Sequence, residues 1–237
     1  MRHIASKGYI SEVFESLQGE GLFIGLPQVF VRLIGCNVFC GYCDTKYALK
    51  LNFTAELGAV KAINPVSVER VIKAITSYKG ASSVSITGGE PLLQPEFTAE
   101  LSSKLKARGF IVHLETNGTL PEALKKVINY VDVVAADIKL PSATGRQGYW
   151  KEHRAFLKIA GKKAFVKIVL TDRTSPGEIV KAIRLAVKCR RDMTVVLQPS
   201  PEMNYKNAVK IFNSVRKKII LKSMRLLPQL HKIMRIK

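Results

Sequence analysis

Seven nearly all-apolar, β-branched runs alternate with six amphipathic stretches along this chain, and that alternation limits the fold more than any other feature. The runs cover 29–34, 83–87, 110–115, 131–137, 164–170, 194–198 and 224–227. The amphipathic stretches lie near 67–79, 95–108, 121–129, 150–160, 175–189 and 202–218. Strands this apolar, separated by helices, form a parallel sheet covered on one or both faces. Pro121, Pro176 and Pro201 fall near predicted helix starts, where a missing N–H costs nothing. Polar residues cluster just after the runs: Thr87-Gly-Gly-Glu90-Pro, Glu115-Thr-Asn117-Gly, Asp137-Ile-Lys139 and Gln198-Pro. Ligands gather at the carboxyl ends of strands in parallel α/β folds, so the pattern predicts one site assembled from successive strand ends.

At 237 residues the chain is long enough for one substantial domain, 1–237, and too short for two ordinary ones with a linker. No apolar run reaches the roughly 20 residues that span a bilayer. Residues 1–10 carry Arg2 and Lys7 but no hydrophobic stretch of the kind that marks a signal peptide. The expectation is a cytoplasmic protein with reduced thiols. The formal charge of +20 has two readings. After Glu202 the chain has no acidic residue, while Lys206, Lys210, Arg216, Lys217, Lys218, Lys222, Arg225, Lys232, Arg235 and Lys237 follow. These alternate with Ile211, Phe212, Val215, Ile219 and Ile220, as on a helix with one buried face, which favours a solvated surface over a polyanion site.

Three of the four cysteines stand within eight residues, as Cys36-Asn-Val-Phe-Cys40-Gly-Tyr-Cys43. Three is odd for disulfides, and thiolates at this spacing can serve one metal centre. Closed zinc and four-cysteine iron–sulfur sites each want one ligand more, and Cys189 lies far downstream in a helical stretch. Three protein ligands leave an open position, which a reactive metal site needs. On spacing alone both zinc and iron–sulfur remain open.

The loop Cys36-x-x-x-Cys40-x-x-Cys43, with Tyr42 before its last cysteine, resembles the cluster loop of the radical S-adenosylmethionine (SAM) superfamily. Gly88-Gly89-Glu90-Pro91 resembles the superfamily's GGEP motif, which binds the methionine amino group of SAM. The resemblance implies a 4Fe–4S cluster on Cys36, Cys40 and Cys43, and SAM held at Tyr42, Gly88, Gly89 and Glu90. It further places Glu115, Asn117, Asp137, Lys139 and Gln198 around the rest of SAM. The fold it implies is a partial (β/α)6 barrel.

Glu15-Ser-Leu-Gln18-Gly-Glu20-Gly21, Arg32, Gly35-Cys36-Asn37 and Cys43-Asp44-Thr45 narrow the resemblance to the 7-carboxy-7-deazaguanine synthases. That family implies a lyase converting 6-carboxy-5,6,7,8-tetrahydropterin to 7-carboxy-7-deazaguanine with loss of ammonia. The product feeds the queuosine or archaeosine tRNA nucleosides. Gln18, Glu20, Arg32 and His231 would contact the pterin, Thr45 would bind Mg²⁺, and Asp44 would orient the loop. A carboxylate and an amide suit an aminopyrimidinone edge, and arginine pairs bidentately with a carboxylate. Gln229-Leu-His231-Lys232 resembles the family's closing segment at about 223–237, with Leu230 where many relatives have threonine. The family also implies a homodimer and an electron donor such as flavodoxin or ferredoxin, with no direct nucleic-acid partner required. His3, His113 and His153 fit no motif and are assigned structural or surface roles. A radical SAM activase of a glycyl-radical enzyme shares the cluster loop but gives no reason for Gln18-Gly-Glu20-Gly. An RNA-binding iron–sulfur protein would explain the charge and leave the strand-end polar series unexplained.

Overall fold

The computed structural model describes residues 6–219, 221 and 223–237, so His3, Ile220 and Lys222 lie outside the described residues. The strands are β1 (Lys7–Gly8), β2 (Ile10–Leu17), β3 (Pro27–Leu33), β4 (Thr54–Leu57), β5 (Val60–Ile63), β6 (Val66–Ser67), β7 (Ser83–Gly88), β8 (Ile111–Thr116), β9 (Val133–Asp137), β10 (Ala164–Leu170), β11 (Val195–Pro199) and β12 (Met224–Leu226). The helices are α1 (Val68–Thr76), α2 (Pro95–Lys106), α3 (Pro121–Val127), α4 (Pro141–Thr144), α5 (Trp150–Ala160), α6 (Pro176–Cys189), α7 (Tyr205–Lys218) and α8 (Leu230–Met234). Ten strands form one sheet in the order β12-β11-β10-β9-β8-β7-β3-β2-β4-β5.

From β3 to β12 every neighbour is parallel, and each of these strands matches a run predicted from sequence to within a residue or two at most ends. The order does not return on itself: β12 and β5 are the two edges, as in a partial barrel. The parallel part has seven strands, β12 being only three residues long. Beyond β3 the sheet continues through the antiparallel β2, then β4 and β5, none of which the sequence reading separated out. Strand β2 hides in sequence because Ser11, Glu12, Glu15 and Ser16 interrupt its apolar pattern, yet Glu12 is buried beside Arg32 of β3.

The core is one cluster running from Ile10 to Val215, with Phe156, Ile86 and Leu114 among its fully buried members. Each such side chain is worth about 1.5–3 kcal/mol on leaving water, which is why strands this apolar must be covered by helices. Pro121 and Pro176 open α3 and α6 as expected, and Pro95 opens α2. Pro201 does not: it lies in a turn, and α7 begins after Asn204, whose side chain accepts from Lys206 N at 2.8 Å. Helix α7 buries Ala208 and Val215 and leaves Lys206, Lys210 and Arg216 exposed, so its basic face is solvated. His113 and His153 are both buried. Among the described residues, no helix is long and apolar enough to cross a membrane.

Candidate active site

The carboxyl ends of the parallel strands open into one cavity holding about 1210 Å³ of atom-free space, its mouth included. Every residue assigned to the site from sequence lines this cavity except Glu90 and Gln198.

The cysteine loop leaves β3 at Leu33. Gly35, at φ +95, makes the turn that a side chain would strain, and its N–H donates to Ala48 O at 2.8 Å. Cys36, Cys40 and Cys43 are half-buried, free of disulfides, and face the cavity. Burial pushes the Cys36 and Cys40 thiols up. Among the described residues no three His, Cys, Asp or Glu side chains gather around a point that one ion could fill. A cluster of several irons takes one thiolate per iron and needs no such point, so the donor set fits 4Fe–4S better than a tetrahedral zinc.

Strand β7 ends against that loop. A Cβ on Gly88, at φ +130, would lie 2.2 Å from Leu33 O, and one on Gly89 would lie 2.0 Å from Gly35 O. Only glycine permits this approach, and Gly35 O in turn accepts from Glu90 N at 2.7 Å. The Glu90 side chain points away from the cavity. Its oxygens accept from Leu92 N at 3.0 Å, Thr116 Oγ1 at 2.8 Å and Asn117 N at 2.7 Å. Burial lifts its carboxyl to about 7 against those three donors. In this arrangement the Glu90 side chain braces the turn that presents Asn117. Gln198 is likewise buried behind the wall, with neither amide atom partnered among the described residues.

Along the floor, Asn117 donates to Asn37 Oδ1 at 2.8 Å, fastening the end of β8 to the cysteine loop. Asp137 Oδ2 accepts from Lys139 Nζ at 2.9 Å, and that ammonium sits 5.4 Å from the centre of the Tyr42 ring. Burial would lower Lys139, but Asp137, with Tyr42 and Cys40 beside it, more than offsets this and holds the ammonium well above its usual range. Burial pushes the Tyr42 hydroxyl well up, so it stays protonated.

The opposite wall comes from β2, β3 and the carboxyl-terminal segment. Both N–H groups of Gln18 are spent: Nε2 donates to Gln28 Oε1 and Glu115 Oε1, at 3.0 and 2.8 Å, while Oε1 accepts from Glu20 N at 3.0 Å. It shapes the turn carrying Glu20 more than it offers free polar atoms. Glu20 accepts from Gln229 Nε2 at 2.6 Å and pairs with Lys167. Burial alone would raise its carboxyl, but the Lys167 charge together with the hydrogen bonds from Lys167 and Gln229 holds the group at about 2. Arg32 gives Nε to Glu12 Oε1 at 2.8 Å, and Glu12 also accepts from Tyr47 at 2.8 Å. Asp44 pairs with Lys232 at 3.0 Å and lies 3.6 Å from His231 Nε2. Against the upward push of burial, those partners hold Asp44 well below the usual carboxylate range. Thr45 Oγ1 is 3.7 Å from Cys43 Sγ.

The sequence reading missed Lys167, Glu12, Tyr47 and Lys237, all in or against this wall. Lys167 had a signal: it is the one polar residue in Ala164–Leu170. Glu12 had only its position opposite Arg32, which appears once β2 and β3 pair.

The model of the Radical SAM superfamily matches residues 31–171. The chain is 37% identical over 241 residues to the 7-carboxy-7-deazaguanine synthase of Geobacter sulfurreducens, covering 95% of this chain and 96% of that one. To the 7-carboxy-7-deazaguanine synthase of Archaeoglobus fulgidus it is 38% identical over 236 residues, covering 95% and 97%. The crystal structure of QueE from Escherichia coli superposes with a TM-score of 0.66 at 25% identity, covering 95% of each chain. The chain belongs to the 7-carboxy-7-deazaguanine synthase family within the radical SAM superfamily.

Proposed function

We propose that this protein is a carbon–nitrogen lyase that converts 6-carboxy-5,6,7,8-tetrahydropterin to 7-carboxy-7-deazaguanine, releasing ammonia. The observation that carries the reading is that three free thiols, the Gly88–Gly89 turn and the Glu20–Arg32–His231 wall all face one cavity. When bound, the 4Fe–4S cluster and SAM supply the one-electron chemistry that starts the reaction. The chain's own residues bind, orient and enclose. Cys36, Cys40 and Cys43 would hold the cluster, while Tyr42, Gly88, Gly89, Glu115, Asn117, Asp137 and Lys139 would surround SAM, with Glu90 bracing them. Glu20 stays ionised to accept the N–H groups of the aminopyrimidinone, and Arg32, its Nε fixed by Glu12, faces the substrate carboxylate. Thr45 offers a neutral oxygen to a magnesium ion that keeps part of its water shell.

The whole chain serves as one radical SAM domain whose segment at about 223–237 closes over the pterin. Leu230 N donates to Gly19 O at 2.8 Å and Lys232 pairs with Asp44, so the segment already bears on the turn carrying Glu20. An electron donor such as flavodoxin or ferredoxin would be the redox partner in the cytoplasm, and the product would enter queuosine or archaeosine synthesis. A homodimer would cover the edge strand β5, where Val60 and Ile63 lie exposed beside Phe53. Anaerobic reconstitution followed by product analysis with SAM and the pterin tests the activity. Formation of 7-carboxy-7-deazaguanine supports it; SAM cleavage without pterin turnover overturns it.

A further inference from the structure

Strand β10 reads Ala-Phe-Val-Lys-Ile-Val-Leu, and all of its residues are buried. Lys167 is thus a charge in the middle of an apolar strand, in register with Asp137 on β9. Its ammonium pairs with Glu20 Oε2 and lies 3.5 Å from Asp137 Oδ2. Taking ions out of water is costly, and replacing a whole buried ion pair with well-packed apolar residues is often neutral or stabilising, although removing one partner alone is not. Stability is therefore a poor reason for this lysine. Both of its partners line the cavity.

Glu20 is gripped from two sides: Lys167 takes Oε2 and Gln229 Nε2 takes Oε1. An ionised carboxylate has about four lone-pair sites. One on each oxygen remains, in a plane fixed by two clamps on separate elements. Two coplanar acceptors match a ligand edge bearing adjacent N–H donors. Resting on the pterin reading above, we propose that Lys167 is a positioning and specificity-determining residue. With Gln229 it keeps Glu20 ionised and in one plane, so the cavity selects ligands that present a paired N–H edge.

The test compares reconstituted wild type, Lys167→Met, Glu20→Gln and the double variant, on the pterin and on its analogue lacking the 2-amino group. Lys167→Met should keep its iron and still melt cooperatively, at a lower temperature than wild type because Glu20 loses its countercharge. Its KM for the pterin should rise about 10-fold, more than kcat falls, and its preference for the amino-bearing substrate should shrink about as much. In the double variant, losing Lys167 should add little to losing Glu20, because residues acting through one contact are not additive. Unchanged KM and preference, a fall in kcat alone, or additive effects would overturn the proposal. If Lys167→Met fails to assemble, Gln229→Leu removes the other clamp from outside the sheet, and undiminished preference there overturns it equally. A wild type inactive on the pterin sinks the functional reading, and that outcome is visible before any variant is compared.

Discussion

At the scale of single residues, Cys36, Cys40 and Cys43 line the cavity and the fourth cysteine does not. Cys189 ends α6, half-buried, with its thiol 3.7 Å from Arg154 O and outside the cavity. Anaerobically reconstituted protein should therefore bind about four irons and four sulfides per chain. Cys36→Ala, Cys40→Ala and Cys43→Ala should each lose them, and Cys189→Ala should not. Iron and sulfide assays check this, and loss of the cluster in Cys189→Ala would mean a fourth protein ligand. Thr45 is the corresponding test for magnesium. Thr45→Ala should assemble its cluster and bind SAM, yet turn over the pterin about 100-fold more slowly, since a small misplacement of the reacting carbon costs that much. Equal turnover with and without Mg²⁺ would remove the metal from the mechanism.

At the scale of elements, the site depends on strand ends being tied to one another, and a buried histidine makes one such tie. His153 on α5 accepts from Lys139 N at Nε2, 3.2 Å, so its Nδ1 carries the proton and donates to Gly118 O at 3.1 Å. It joins the loop after β8 to the loop after β9. Burial pushes its pKa down from 6.5 to about 4. The fold thus favours the neutral ring: the stabilisation is complete above pH 6.5 and is lost as pH falls toward 4. Over that window it amounts to roughly 3 kcal/mol. Urea unfolding at several pH values should show His153→Gln losing less stability than wild type between pH 6.5 and 4. Parallel losses would mean that His153 does not titrate across the transition.

On the scale of the whole molecule, the carboxyl-terminal segment returns to the amino-terminal strand. Gln229 reaches Glu20, Ser16 Oγ donates to Lys237 O at 2.7 Å, and Lys237 pairs with Glu12. Strand β12 ends at Leu226, so removing residues after Pro228 leaves the sheet intact. Such a truncation should keep the cluster and SAM cleavage while raising KM for the pterin at least about 10-fold, because Glu20 loses Gln229 and Asp44 loses both His231 and Lys232. Cleavage assays with and without pterin check it; unchanged KM would show that the segment does not enclose substrate.

Local pattern determined much of this protein. The apolar runs are the parallel strands because side chains that must leave water cannot be placed otherwise, and Cys36–Cys43 and Gly88–Glu90 are contiguous, so their chemistry is legible without a fold. What the tertiary structure alone decided involves residues far apart in the chain. Glu90 turned inward because Thr116 and Asn117 offer donors there, and Gln18 is spent on Gln28 and Glu115. Lys167 meets Glu20 only when β10 and the turn after β2 border one cavity, a distance of 147 residues along the chain. A buried charge is tolerated by its partner, and no reading of its neighbours in sequence reveals who that partner is.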